Sequence, residues 1–181
     1  MKYIVLLRGI NISGKNKISM SELKLELEKN KYLNVFTYLN SGNIIFDSNI
    51  DSKEFIMNDI HEIIKNKFNL LIPVFVMTES ELMDVLNNSP IWWGSDDKEI
   101  YNNLIFIIPP LKYVDVYNTI GEPKEGIEKI KEYNNYIFWS FDLKNYRKSN
   151  WWVKTASTDI KDKITIRTAN TMKKLLEICK K

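Results

Sequence analysis

The stretch NVFTYLNSGNIIFD, from Asn34 to Asp47, decides the fold. Residues 34–39 and 43–47 are rich in β-branched and aromatic side chains and read as strands. Ser41-Gly42 between them is a hairpin signal. Before the hairpin, Ser19 and Glu22 form a capping box, S-x-x-E, which predicts a helix over 20–30 with Met20, Leu23 and Leu27 as its buried stripe. Residues 2–7 (KYIVLL) precede it as a strand apolar on both faces. After the hairpin, Asp51 and Glu54 are placed to cap a helix over 53–68, with Ile56, Ile60, Ile63 and Ile64 on one face. Residues 70–77 (LLIPVFVM) then read as a strand. Its Pro73 lacks a backbone donor and belongs at a sheet edge. The order is β-α-β-β-α-β, the ferredoxin-like α/β plait.

The pattern recurs. Thr78 and Glu81 form a second capping box, opening a helix that stops before Pro90. A loop with Trp92-Trp93 leads to a strand over 100–108 and a helix over 112–120. A hairpin turns at Asn134-Asn135, and 143–157 reads as partly helical. A strand over 163–168 and a helix over 171–179 close the chain. No residue-level repeat links the halves, so the duplication is one of pattern. Apolar character on both faces of 2–7, 70–77 and 100–108 implies that both faces are covered. The expected architecture is α+β: two ferredoxin-like halves packed into one compact unit, with an added C-terminal helix. Its parts are 1–78 (N-terminal plait), 79–99 (connecting helix and tryptophan loop) and 100–181 (C-terminal plait and last helix).

Composition narrows the function classes. The chain has 181 residues, 44% apolar, and a net charge of +3 from 26 basic and 23 acidic residues. That balance does not by itself mark a nucleic-acid partner. Only three of the cations are arginines, Arg8, Arg147 and Arg167, a lysine bias that fits an AT-rich bacterial genome. One cysteine, Cys179, cannot form an internal disulfide, which points to a reducing compartment. With one histidine, His61, a zinc site is not expected, nor any other metal or cofactor. The apolar run before Arg8 is too short for a signal peptide. No run approaches the ~20 residues of a membrane span. The expectation is a cytoplasmic protein with no membrane partner and an open oligomeric state.

The charge is unevenly spread. Residues 1–21 hold Lys2, Arg8, Lys15 and Lys17 and no acid; residues 78–101 hold six acids and one base. Gly9 to Lys15 fits G-x-x-x-x-G-K, the phosphate-cradling pattern. Asn16 stands where that loop needs Ser or Thr, and the cap at Ser19 comes too late to set a helix N-terminus under a phosphate. The pattern therefore supports a basic, glycine-bearing loop able to receive an anion, not a triphosphatase. Residues 144–154 (KNYRKSNWWVK) interleave cations and aromatics as single-strand nucleic-acid binders do. The simpler reading buries the tryptophans. The aromatic signature of RNA-recognition strands is absent from Asn43–Asp47.

Three segments carry a resemblance: YIVLLRGINISGKNKISMSELK, VFTYLNSGNIIFDS and ITIRTANTMKKLLEI. Together they resemble the bacterial family known as domain of unknown function 1697, whose members carry LLRGIN…GGKN…M, Y…NSGNV…F and T…RN…NT…KL. This chain departs at Ser13 and at Thr168-Ala169. The resemblance implies an α/β plait and no activity. Arg8, Asn11, Gly14, Lys15, Asn40, Ser41, Gly42, Asn43, Arg167, Asn170 and Thr171 match its motif positions.

The resulting expectation is binding of an anionic, phosphate-bearing ligand, nucleic acid included, through the loop after the first strand. The candidate residues are Arg8, Asn11, Gly14, Lys15, Asn40, Ser41, Asn43 and Arg167; no catalytic residue is assigned. The alternatives are a small-molecule enzyme with its site between the halves and a protein–protein interaction module using the tryptophan loop.

Overall fold

The computed structural model describes residues 1–181. It divides into a first unit, Met1–Leu82 with Leu175–Lys181, and a second unit, Met83–Lys174. The first unit runs β1 (Lys2–Leu7), α1 (Met20–Lys29), β2 (Leu33–Tyr38), β3 (Asn43–Asp47), α2 (Lys53–Phe68), β4 (Val74–Thr78). Its four strands lie in the order β2-β3-β1-β4, each neighbour antiparallel. That is the plait order expected from the sequence.

The local causes are visible. The Ser19 side chain accepts from the Glu22 N–H at 3.3 Å and starts α1, and Met20, Leu23 and Leu27 give it one buried face. Helix α2 buries Ile56, Ile60, Ile63 and Ile64. Its cap is Ser52, which accepts from the Phe55 N–H at 3.1 Å, and not the Asp51/Glu54 pair read from the sequence. A left-handed Asn69 ends it. Strand β4 begins only at Val74, so 70–73 are not strand. Pro73 lacks an N–H and restricts its predecessor, and it thereby sets the start of the edge strand. Tyr3, Val5, Leu7, Ile44, Phe46 and Val76 pack with the apolar stripes of α1 and α2 into one core. The alternate side chains Ile4, Leu6, Ile45 and Met77 are buried as well.

The second unit holds β5 (Ile100–Ile107), α4 (Tyr113–Ile120), β6 (Glu128–Tyr133), β7 (Tyr136–Asp142), α5 (Asn150–Ser157) and β8 (Ile164–Thr168), with short 3-10 turns on either side of α5. The sheet order is β6-β7-β5-β8, again antiparallel throughout. Its core gathers Ile105, Ile137, Trp139, Phe141 and Trp151 with Val116 and Ile120 of α4. Two further helices, α3 (Glu79–Asn87) and α6 (Ala169–Cys179), complete the chain. All five tryptophans, at 92, 93, 139, 151 and 152, fall in the second unit.

Candidate functional site

The loop that follows β1 is a chain of left-handed backbone positions. Gly9, Asn11, Ser13, Gly14 and Asn16 have φ of 65°, 54°, 49°, 78° and 47°, while Ile12 and Lys15 do not share the positive sign. Such alternation in the sign of φ curls a loop so that successive N–H groups line a concavity suited to anions. Cross-bonds hold the shape. Asn11 N–H donates to Asn16 O at 3.1 Å, Lys15 N–H to Ile12 O at 2.9 Å, and the Asn16 amide to Gly9 O at 3.0 Å. No protein acceptor takes the N–H of Ser13 or Gly14. Lys15 and Lys17 are exposed.

The Asn11 side chain is a latch. Its nitrogen donates to Ile18 O and to Asn40 O, each at 2.9 Å, and its oxygen accepts from the Ile18 N–H at 2.9 Å. It thus ties the loop to the start of α1 and to the β2–β3 hairpin. In that hairpin Asn43 is fully buried, its amide donating to Tyr38 O at 2.8 Å and to Ser41 Oγ at 3.1 Å. Gly42 has φ +80°, and a Cβ there would sit 2.6 Å from Leu7 Cβ and 2.9 Å from Ile10 Cδ1. Only glycine lets the hairpin lie this close to β1.

Asn11, Gly14 and Asn40 thus come together around an open groove of about 840 Å³, whose other walls include Lys17, Ser19 and Phe68. Arg8, Lys15, Ser41 and Asn43 do not line it. In the sequence Lys17 stands out only as charge and Ser19 only as a cap. Phe68 carried no signal, because the end of α2 reaches the groove through tertiary packing. Arg167 lies in the second unit, on β8. It is 8% exposed, and its guanidinium donates to Thr165 Oγ1 at 2.8 Å and Ile166 O at 2.9 Å.

The basic-aromatic segment 144–154 divides. Trp151 is buried and donates its indole N–H to Gly121 O at 3.1 Å. Trp152 is 41% exposed and meets Tyr146 edge-on. Trp93 is also buried, its indole donating to Asn103 O at 2.6 Å. One buried group escaped the sequence reading. Glu128 at the start of β6 accepts from the N–H of Lys124 at 2.9 Å, of Asn150 at 2.7 Å and of the Trp139 indole at 3.2 Å, and from the Ser149 hydroxyl. A carboxylate at the N-terminus of α5, ringed by donors, is held without a cationic partner. Its partners come from three separate stretches of chain, around Lys124, Trp139 and Ser149-Asn150, so no local pattern announces it. No group of three or more His, Cys, Asp or Glu side chains is placed to hold a metal ion. No helix is long and apolar enough to cross a membrane.

No curated protein matches the chain. Among solved structures, the first two RRM domains of the yeast poly(U) binding protein Pub1 align at 11% identity over 93% of this chain and 99% of that one. Their TM-score is 0.25. A conserved bacterial protein, SP0830 of Streptococcus pneumoniae, is similar at 29% identity and TM-score 0.85 over 98% of this chain and 97% of that one. The likeness extends across both plaits. Residues 1–138, which contain the latched loop and the β2–β3 hairpin, match a family described as a protein of unknown function, and the chain belongs to that family, DUF1697.

Proposed function

We propose that the first unit binds a phosphate-bearing anion on the loop Gly9–Lys17. The observation that supports this is the alternating backbone of Asn11–Asn16, which leaves the N–H groups of Ser13 and Gly14 without a protein acceptor in a segment that holds lysines and no acid. The latch by Asn11 fixes the concavity before a ligand arrives, so little ordering entropy is lost on binding. Lys15 and Lys17 supply charge, and the adjoining groove accommodates the body of a nucleotide or a short nucleic-acid strand. The setting we infer is the reducing cytoplasm. Burial, then Glu79, pushes the Cys179 thiol up to about 11, so it stays protonated and inert at neutral pH.

The test is amide-resolved NMR of the full chain titrated with pyrophosphate and, separately, with an oligothymidylate. Tryptophan fluorescence is unsuited, since the first unit has none. The expected result is saturable shifts at Ser13 and Gly14, with affinity cut at least tenfold in a Lys15→Ala/Lys17→Ala double variant. Two phosphate contacts on a single strand imply about a sevenfold loss between 50 and 200 mM salt. Unmoved Ser13 and Gly14 amides at millimolar ligand overturn the proposal.

A further inference from the structure

The basic-aromatic stretch 144–154 lies outside the loop of the first unit, and the fold builds part of it into a surface of the second. The start of α5 is anchored from the core. Glu128 accepts from the Ser149 hydroxyl and from the Asn150 N–H, and Ser149 Oγ accepts from the Trp152 N–H at 2.9 Å. Trp151 is buried and fixes which side of the helix turns inward, so Trp152, one position on, stays at the surface. Two rings brace it there. Phe141 lies 5.4 Å away at 61° and Tyr146 5.2 Å away at 83°, so neither covers the indole as a parallel stack would. Tyr101, also exposed, extends the row from Phe141 at 5.4 Å. At the other end the Arg147 guanidinium lies 5.5 Å from the centre of the Tyr146 ring, and its Nε donates to the Tyr146 hydroxyl at 2.9 Å. The row therefore runs from Tyr101 through Phe141, Trp152 and Tyr146 to Arg147, aromatic along its length and cationic at one end.

The charge beside this row is one-sided. Residues 143–158 hold four cations and no acid. Lys144 pairs with Glu99, and Lys154 donates to Ile120 O at 2.6 Å. The adjoining Asp142 carboxylate accepts from the Lys144 N–H at 2.8 Å and the Asn145 amide at 2.7 Å. Arg147 and Lys148 are exposed and pair with no carboxylate. A braced, exposed indole beside unpaired cations suits a strand on which bases and phosphates alternate. A duplex does not suit it, because its bases are closed to the ring by their own stacking. A proline-rich peptide would use the rings and leave the cations idle. We propose that this surface of the second unit binds single-stranded nucleic acid. One base stacks on Trp152, and the phosphates that flank it pair with Arg147 and Lys148. The guanidinium is two ring contacts from the indole, on the scale of the reach from a base to the phosphates of its own strand. No residue is shared with the anion loop of the first unit, and the proposal does not rest on that loop.

The test uses the full chain carrying Lys15→Ala/Lys17→Ala, so that the first unit does not contribute. Tryptophan emission is followed during titration with oligothymidylate and with oligouridylate, and affinities are read from the anisotropy of a labelled strand. Saturable quenching by at least one of the two is expected. Trp152→Ala is expected to weaken binding at least fivefold, and an abasic strand of the same length to bind at least fivefold more weakly than its parent. Arg147→Gln/Lys148→Gln is expected to lower the slope of log affinity against log salt by about 1.4, at about 0.7 per phosphate contact. Should Trp152→Ala not fold, the abasic strand and the salt slope decide. The proposal is overturned if neither strand quenches at millimolar nucleotide, if the abasic strand binds as tightly as its parent, or if the salt slope is unmoved. A proline-rich peptide that quenches where neither strand does assigns the rings to a protein partner and overturns it equally.

Discussion

The two units share one topology and elaborate opposite ends of it. After its first strand the first unit inserts a loop running from Arg8 to the cap at Ser19; the second crosses the same position with Ile108–Lys112, stiffened by Pro109-Pro110. The first joins its second and third strands, β2 and β3, through Leu39–Gly42; the second joins β6 and β7 through Asn134-Asn135 alone, whose φ values of 48° and 68° suit a tight hairpin. Yet both latch hairpin to loop with an asparagine. In the first unit Asn11 of the loop reaches Asn40 O of the hairpin at 2.9 Å. In the second, Asn135 of the hairpin accepts from the Tyr113 N–H at 2.7 Å. Each plait thus carries an asparagine latch at this end, supplied by the loop in one copy and by the hairpin in the other. What the second unit saves here it spends at the other end, in the long segment leading to β5. The two copies of one plait thus differ in which end carries the long, polar connection.

The second unit rests on one buried acid and the first has no counterpart. Glu128→Ala leaves its buried donors unpaired, at about 1–3 kcal/mol for a group left unsatisfied, and is expected to lower stability by about 4 kcal/mol in urea denaturation; a loss under 1 kcal/mol breaks the claimed asymmetry. Gly42→Ala tests the close hairpin of the first unit, and the overlap with Leu7 together with the positive φ is expected to cost about 2–4 kcal/mol. The latches come next. Asn11→Ala and Asn135→Ala each strand backbone groups and are expected to cost about 1–3 kcal/mol. A neutral result for either ends the equivalence drawn between them. Gly14→Ala meets nothing within 4 Å, so only its φ of +78° opposes the change, at about 1 kcal/mol. The gap between Gly42 and Gly14 then measures packing apart from backbone strain.

The smallest effect concerns the helices that leave the last strand of each plait. In the first unit Thr78 and Glu81 cap α3 reciprocally, with Glu81 also paired to Lys53. Burial pushes the Glu81 carboxyl up, but the hydrogen bonds from Lys53 and Thr78 and the Lys53 charge outweigh it and leave its pKa lowered. Its stabilisation is therefore complete above the ordinary carboxylate range and lost as pH falls through the lowered value. The matching cap on α6, Thr168 with Thr171, does not titrate. Acid titration of stability should flatten slightly in Glu81→Gln and remain unchanged in Thr171→Val.

The fold was legible because it rests on local patterns. Period-3.6 stripes such as Ile56-Ile60-Ile63, the capping box at Thr78/Glu81 and the Asn134-Asn135 turn each act within a few residues. The antiparallel order follows once they are placed. The mistaken cap at Asp51 and the late start of β4 are shifts of a residue or a few, where neighbouring polar groups or a proline compete for one role. The candidate loop was legible as composition but not as geometry. Nothing in the string shows that Asn11 is occupied with backbone while the Ser13 and Gly14 amides are not. Glu128 was illegible for a different reason. Its meaning depends on residues well along the chain from it, Trp139 and Ser149.

The partition of tryptophans makes the molecule two-coloured to an optical experiment. Emission excited at the red edge of protein absorbance reports the second unit and is blind to the first, whose aromatic chromophores are tyrosine and phenylalanine. Far-ultraviolet dichroism sees both plaits. If the two melting curves coincide, the duplicated halves unfold as one cooperative body. If the fluorescence curve separates, each half has a stability of its own, measurable without cutting the chain.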